Sequence, residues 1–196
     1  VTGTLEPGYP LSTARLLLRP YQVEDLPFIL DLFGREDVAR YLPWEPMDEE
    51  AGRALLGRRL RQTRITAEGE LLALAAVDPA TDRVIGEFVL RLTSAASAQG
   101  EIGWAIHPDV QGRGLATEGA REMLRLGFDE LGLHRIVAEC DARHVASFRV
   151  MQRLGMRREA LFREDQFLKG EWVGSIVCAM LASEWREMTG SPLPSA

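Results

Sequence analysis

Three stretches of this chain point to a single mixed α/β (α+β) domain. Its centre would be a twisted, mostly antiparallel sheet with helices on both faces. Glu101 to Ile106 alternates residue types, with Ile102, Trp104 and Ile106 on one side, the period of a strand. A glycine loop and a helical pattern to about Leu131 follow. His134 to Cys140 then reads as a strand buried on both faces, with RIVAEC at its centre. Strands joined through a helix run parallel, so 101–106 and 135–140 form a parallel pair at the centre. Upstream, Leu71–Val77 and Val84–Leu92 flank the turn-rich Asp78-Pro79-Ala80-Thr81-Asp82, suited to an antiparallel hairpin.

The remaining elements follow in order. Residues 1–11 carry no periodicity and read as a loose lead-in. Leu16 to Leu18 form a short buried strand ending at Pro20. Asp25 is placed to cap a helix whose first turns carry Pro27, Phe28, Ile29, Leu32 and Phe33 and which ends near Gly34. A further turn spans Val38 to Leu42, and Pro43-Trp44-Glu45-Pro46 breaks the pattern. Asp48 then caps a second helix with Leu55, Leu56 and Leu60 on its buried face. Ala95 to Gly100 is a connection. After the central loop, Ala116, Ala120, Met123, Leu124, Gly127 and Leu131 recur at helical spacing, and Gly132 ends the helix. Ala146, Val150, Met151 and Leu154 mark another helix, closed by Gly155. Ala160–Leu168 and Trp172–Leu181 form a closing hairpin about Lys169-Gly170-Glu171. Gly190 to Ala196 has the composition of a disordered tail. The domain is expected over 12–186, with a tail over 187–196.

Composition narrows the function. At 196 residues and 46% hydrophobic content the chain is large enough for one domain with its own core. No apolar run reaches the roughly 18 residues of a membrane span, and the N-terminal stretch lacks a signal peptide's layout. The net charge of −6 and the lack of a polybasic run argue against nucleic acid and favour a cationic or amine substrate. Cys140 and Cys178 sit in apolar strands and read as buried thiols rather than a disulfide, a metal pair or a nucleophile. That suits a reducing cytosol, so a cytoplasmic location is expected. No metal site is expected.

The loop carries the chemistry. His107-Pro108-Asp109 stops the strand, since proline has no N–H for a ladder. Gln111-Gly112-Arg113-Gly114-Leu115-Ala116 follows, with Thr117 beyond. Two glycines before a helix free the backbone to turn tightly and uncover its N–H groups. The first helical N–H groups have no internal partners, and the helix dipole adds positive charge there. Strand, loop and helix together make an anion cradle suited to a pyrophosphate. A phosphate-binding P-loop would need a Lys after Gly114. A dinucleotide fingerprint would need glycine at Thr117. A ligand-free β–α connection is the remaining alternative.

Gln111-Gly112-Arg113-Gly114-Leu115-Ala116 resembles the acyl-CoA motif (Q/R)-x-x-G-x-(G/A) of the GNAT (GCN5-related) N-acetyltransferases, and EIGWAIHPDVQGRGLATEG is similar to their RimJ/RimL-type branch. Phe162 to Trp172 resembles that branch's closing hairpin, with Ser175 present and Gly174 in place of an aspartate. The helix ending at Gly155-Met156 resembles the family's N-x-x-(A/S)-x-x-x-(Y/L)-x-x-x-G-(F/M) pattern. His144 stands at its asparagine, Ser147 at its fourth position, and Met151 where some branches carry a tyrosine acid. The resemblance covers about residues 12 to 186.

The resemblance implies acetyl-CoA as cosubstrate and direct transfer of its acetyl group to a primary amine, a peptide N-terminus or a small molecule. It implies that the two parallel strands splay to admit the pantetheine arm. The cosubstrate would be held by the backbone of Trp104, Ala105 and Ile106, by Gln111 to Thr117, and by His144 and Ser147. Glu101 is the candidate base, directly or through water, with Glu87 and Glu164 as runners-up. Ser147 is the candidate acid, since Met151 has no proton to donate. Tyr41 and Trp44, with Leu42, Pro43 and Glu164, would serve the acceptor. A homodimer is common in the branch, though no residue here shows one. The rivals are a non-catalytic acyl-CoA-binding or regulatory module of the same fold and, further off, a nucleotide-binding dehydrogenase, which the absence of repeated βαβ units disfavours.

Overall fold

A computed structural model describes residues 3–190. The strands are β1 (Leu11–Ser12), β2 (Leu17–Pro20), β3 (Leu71–Asp78), β4 (Arg83–Ser94), β5 (Gln99–Ile106), β6 (Arg135–Asp141), β7 (Arg157–Leu161), β8 (Gln166–Leu168), β9 (Glu171–Val173) and β10 (Ser175–Leu181). The α-helices are α1 (Leu26–Phe33), α2 (Glu36–Ala39), α3 (Glu49–Arg59), α4 (Leu115–Arg125), α5 (Val145–Arg153) and α6 (Ala182–Thr189). Eight strands form one sheet in the order β1-β2-β3-β4-β5-β6-β10-β7, while β8 and β9 form a separate ribbon. Every neighbouring pair is antiparallel except β5 and β6, as the helix between them requires.

The parallel pair is short. Gln99, Gly100 and Glu101 face Arg135, Ile136 and Val137, and the pairing stops there. From Ile102 onward β5 keeps β4 on one side and leaves β6 on the other. The two strands therefore splay.

Helices cover both faces, which explains why β3 reads LLALAAVD with no polar alternation. One face packs under α4, α5 and α6 around Phe88, Met123, Leu124, Ile136 and Met151. The other packs under α1 and α3 around Tyr21, Ile29, Leu32, Phe33, Leu55 and Leu56. α4 lies very close to the sheet because Gly119 meets Phe88. A β-carbon there would sit 2.2 Å from the Phe88 ring. Gly119→Ala is expected to destabilise the fold by about 1–3 kcal/mol, read as a lower urea midpoint at unchanged slope.

Several sequence expectations need correction. The lead-in is tied down: Leu5 is buried and exchanges two 2.9 Å backbone hydrogen bonds with Ile65, and Leu11 pairs with Leu18. Val1 and Thr2 lie outside the described residues. Asp25 does not cap α1 with its side chain. It accepts from the Gln22 N–H and pairs with Arg19, so that charge anchors the chain before the helix. Asp48 does cap α3, accepting from the Ala51 N–H at 2.9 Å. Leu60 follows the last turn of α3 and is exposed.

The closing hairpin exists but is divided. β7 begins at Arg157 and breaks after Leu161, and β8 and β9 turn about Lys169-Gly170 outside the main sheet. Gly174 permits the break: a β-carbon there would lie 2.3 Å from the Phe162 carbonyl oxygen. Close backbone approach accounts for glycine at that position. α6 had no counterpart in the sequence reading. Part of the expected tail, 191–196, lies outside the described residues.

Candidate active site

The splay opens onto a cleft of about 800 Å³. Its walls are the end of β5, the glycine loop, the start of α4, the first two turns of α5, and the end of α2. Of the residues singled out in the sequence, Tyr41, Trp104, Ala105, Ile106, Gln111, Gly112, Gly114, Leu115, Ala116, Thr117, His144 and Ser147 line it together.

Strand geometry decides which backbone groups face the gap. His107 N–H donates to the Ile85 carbonyl, and Ala105 lies opposite Glu87 in the same antiparallel register. Hydrogen-bonded pairs alternate along such a ladder. The N–H groups of Ala105 and His107 therefore go to β4, and those of Trp104 and Ile106 point toward the space β6 has vacated. Two donors with no sheet partner, in a cleft, can receive a carbonyl oxygen and hold the charge that develops on it.

The two glycines give the loop its tight turn. Gly112 and Gly114 have φ of +76° and +80°, where an ordinary side chain is strained, and Gly114 is the residue from which α4 starts. Gln111 turns back so that its side-chain amide donates to the Ile106 carbonyl at 2.9 Å, closing the loop on the strand. Thr117 Oγ1 is buried and lacks a hydrogen-bond partner among the described residues. A buried hydroxyl left unpaired costs roughly 1–3 kcal/mol, which an anion in the cradle would offset. Arg149 and Arg153, one turn apart on α5, add positive charge to the wall. The donor set therefore fits a pyrophosphate.

The brace behind the cradle was missed in the sequence. Glu118, in the first turn of α4, accepts from the Thr13 hydroxyl at 2.6 Å, the Arg15 N–H at 2.7 Å and Arg15 Nε at 2.7 Å. Arg15 Nη1 also donates to the Arg113 carbonyl at 2.7 Å. Arg113 does not line the cleft, and its main chain is what the brace holds. The only local signal was an acidic residue in a helix's first turn. Burial pushes the Glu118 carboxyl up, but the hydrogen bonds from Thr13 and Arg15 outweigh it and hold it below the usual range. Its stabilisation is therefore complete above the ordinary glutamate range and is lost as pH falls through the lowered value. Glu118→Ala is expected to weaken acetyl-CoA binding about tenfold and to flatten the acid side of the stability profile, checked by calorimetric titration and by melting against pH.

The candidate catalytic residues divide. Ser147 is buried in the cleft wall. It does not cap α5, since it lies inside the helix, and its hydroxyl is a partner of the Cys140 thiol. Burial pushes that thiol up to about 11 despite the serine, which keeps Cys140 protonated and inert. Glu101 does not line the cleft. It sits where the parallel pairing ends, half-buried, and burial raises its carboxyl, opposed by Arg91 and reinforced by Glu139. Glu87 is committed elsewhere: Arg59 clamps both its oxygens at 2.7 Å and the Tyr21 hydroxyl donates at 2.8 Å. Glu164 is exposed on the loop between β7 and β8, and Trp44 packs edge-on against Phe33; neither lines the cleft. Met151 is buried in the core.

Across the cleft, the Tyr41 and His144 rings stack at 4.3 Å with an interplanar angle of 4°. No local pattern announces this pair, because it joins residues of different elements far apart in the chain.

A cleft between splayed strands, with strand amides turned to the gap and a glycine loop opening a helix in its wall, is the arrangement an acyl-CoA-dependent transferase needs. Residues 15–157 match the acetyltransferase (GNAT) domain family, and the chain belongs to it. It is 31% identical over 175 residues to the uncharacterized N-acetyltransferase YnaD of Bacillus subtilis (strain 168), covering 89% of this chain and 98% of that one. It is 24% identical to the [ribosomal protein uS5]-alanine N-acetyltransferase of Escherichia coli (strain K12), covering 91% and 94%. The crystal structure of a GNAT-family acetyltransferase from Bacillus anthracis superposes with a TM-score of 0.79 at 28% identity, covering 89% of this chain and 99% of that one. The protein is thus an N-acetyltransferase that moves an acetyl group from acetyl-CoA to an amine.

Proposed function

We propose that the chain acetylates a primary amine, on a peptide N-terminus or a small molecule, as a member of the RimJ/RimL-type branch. The observation that carries this is the loss of β5–β6 pairing after Glu101 and Val137, at the cleft that holds the cradle. The pantetheine arm would lie in the gap, with the pyrophosphate on the amides of Gly112 to Leu115 and the Thr117 hydroxyl. Arg149 and Arg153 would face the CoA phosphates. The Trp104 and Ile106 amides would polarise the thioester carbonyl, which favours direct attack by the amine.

Glu101, Gly103 and Ala105 share one face of β5 by alternation. There the Glu101 carboxylate would attract the acceptor ammonium through its negative charge. Ser147 would donate a hydrogen bond to the departing sulfur. The branch assignment rests on the motif from Glu101 to Gly119 and on the uS5-alanine relative. Two unbridged cysteines, Cys140 and Cys178, suit a cytoplasmic setting. Among the described residues no helix is long and apolar enough to cross a membrane.

The test is CoA thiol release from acetyl-CoA against N-terminal peptides, polyamines, amino acids and aminoglycosides, with product masses. Release above the no-acceptor background, with an acetylated product, is the expected result. Acetyl-CoA binding with no release for any amine would instead favour the non-catalytic CoA-binding reading.

A further inference from the structure

The cleft contains one side chain built to exchange protons near neutral pH, and the proposed roles leave it unused. His144 occupies the N-cap position of α5, yet its side chain makes no capping bond, and among the described residues its ring nitrogens have no protein hydrogen-bond partner. The ring instead lies flat on Tyr41, which also lines the cleft. Histidine is a poor cap, so the position is not explained by helix stability. Stacking fixes the plane of the imidazole, and both residues of the pair line the cleft.

The other titratable groups lining the cleft do not fit the task. Asp37 is paired with Arg35, and the other charged side chains of the lining are Arg40, Arg143, Arg149 and Arg153, whose guanidinium groups are hydrogen-bond donors only. Glu101 is outside the lining.

We propose that His144 is the catalytic base of this enzyme, taking the proton from the acceptor ammonium, with Tyr41 as the residue that positions its ring. This rests on the acetyl-transfer reading above. The neutral imidazole accepts one proton from R–NH3+. The freed lone pair forms the C–N bond to the thioester carbonyl carbon. The tetrahedral adduct collapses by breaking the C–S bond, with the electron pair leaving on sulfur. The imidazolium returns its proton to the thiolate, and the remaining surplus proton on nitrogen passes to water. The products are the acetamide, CoA thiol and one proton.

The surroundings keep the ring neutral. Burial lowers the His144 imidazole below its ordinary value, and the charge of Asp141, at the end of β6, opposes this. Asp141 is itself engaged by Arg143, which also reaches Glu171 on β9. From the α2 side the facing groups are Tyr41 and Arg40, whose guanidinium lies 5.6 Å from the Tyr41 ring centroid. From α5 it is Ser147. Burial is what favours the unprotonated ring, against the opposing charge of Asp141. The proton-accepting form is thus present at neutral pH and is lost as pH falls through the lowered value.

The experiment is the pH profile of kcat, with acetyl-CoA and an acceptor from the panel both saturating, for the wild type, His144→Asn, Tyr41→Ala and Glu101→Gln, with histidine ring NMR titrations of each. The wild type should lose rate below a single ionisation under about pH 6.5, matching the resonance that disappears in His144→Asn. His144→Asn should lower kcat about 100-fold, abolish that limb and still bind acetyl-CoA. Tyr41→Ala should move the limb and the resonance together toward the ordinary imidazole value. A limb that persists in His144→Asn, or that vanishes only in Glu101→Gln, overturns the assignment while leaving acetyl transfer intact. Absence of acetyl transfer by the wild type to any acceptor would overturn the transfer reading and this inference with it.

Discussion

Gly114→Glu is expected to lower acetyl-CoA affinity by about 100-fold or more, which corresponds to roughly 2.7 kcal/mol. Two effects combine. Gly114 sits at φ +80°, where a side chain costs about 1–2 kcal/mol of backbone strain. The added carboxylate also enters the start of α4, where the cradle needs to receive negative charge. Arg15 Nη2 lies 3.5 Å from where the new β-carbon would stand, so the glutamate has a cation to seize and would stay in place over the cradle. Calorimetric titration reads the loss, and a circular dichroism melt shows whether the fold survives. Unchanged affinity would remove the pyrophosphate from this loop.

Arg59→Met should destabilise the fold by about 3 kcal/mol, a fall of roughly 6–12 °C in melting temperature for a chain of this size. Glu87 is buried at 5% exposure beneath α3, and Arg59 satisfies both of its oxygens. Removing the guanidinium leaves a buried carboxylate with only the Tyr21 hydroxyl for company. The double variant Arg59→Met with Glu87→Leu should recover much of that loss, because no charge is then stranded. Equal losses in the single and double variants would show that the side-chain packing of Arg59 matters and its charge does not.

Much of the scaffold could be read from local pattern. The 101–106 alternation, the two loop glycines and the helical spacing beyond them each have a local physical cause, and each stands where expected. The cleft was legible for the same reason, since the cradle residues are consecutive. The contacts that were not legible are long-range pairs. Arg15 with Glu118, Arg59 with Glu87, and Tyr41 with His144 are brought together by the sheet order, and no spacing along the chain announces them. Glu101 stands near the start of its strand, but nothing in the sequence shows that β6 still covers that position and departs only one residue later. A continuous apolar and turn pattern over 160–181 hides the backbone contact at Gly174 that divides the hairpin.

Acetyl-CoA is expected to lie in the gap between β5 and β6 with its pyrophosphate on the glycine loop. Amide hydrogen exchange with and without acetyl-CoA reads that placement. Slowed exchange at the Trp104 and Ile106 amides and across Gly112 to Leu115, with the Ala105 amide unaffected because β4 already protects it, is the predicted result. Saturating acetyl-CoA that leaves these amides unchanged and protects another surface would contradict it.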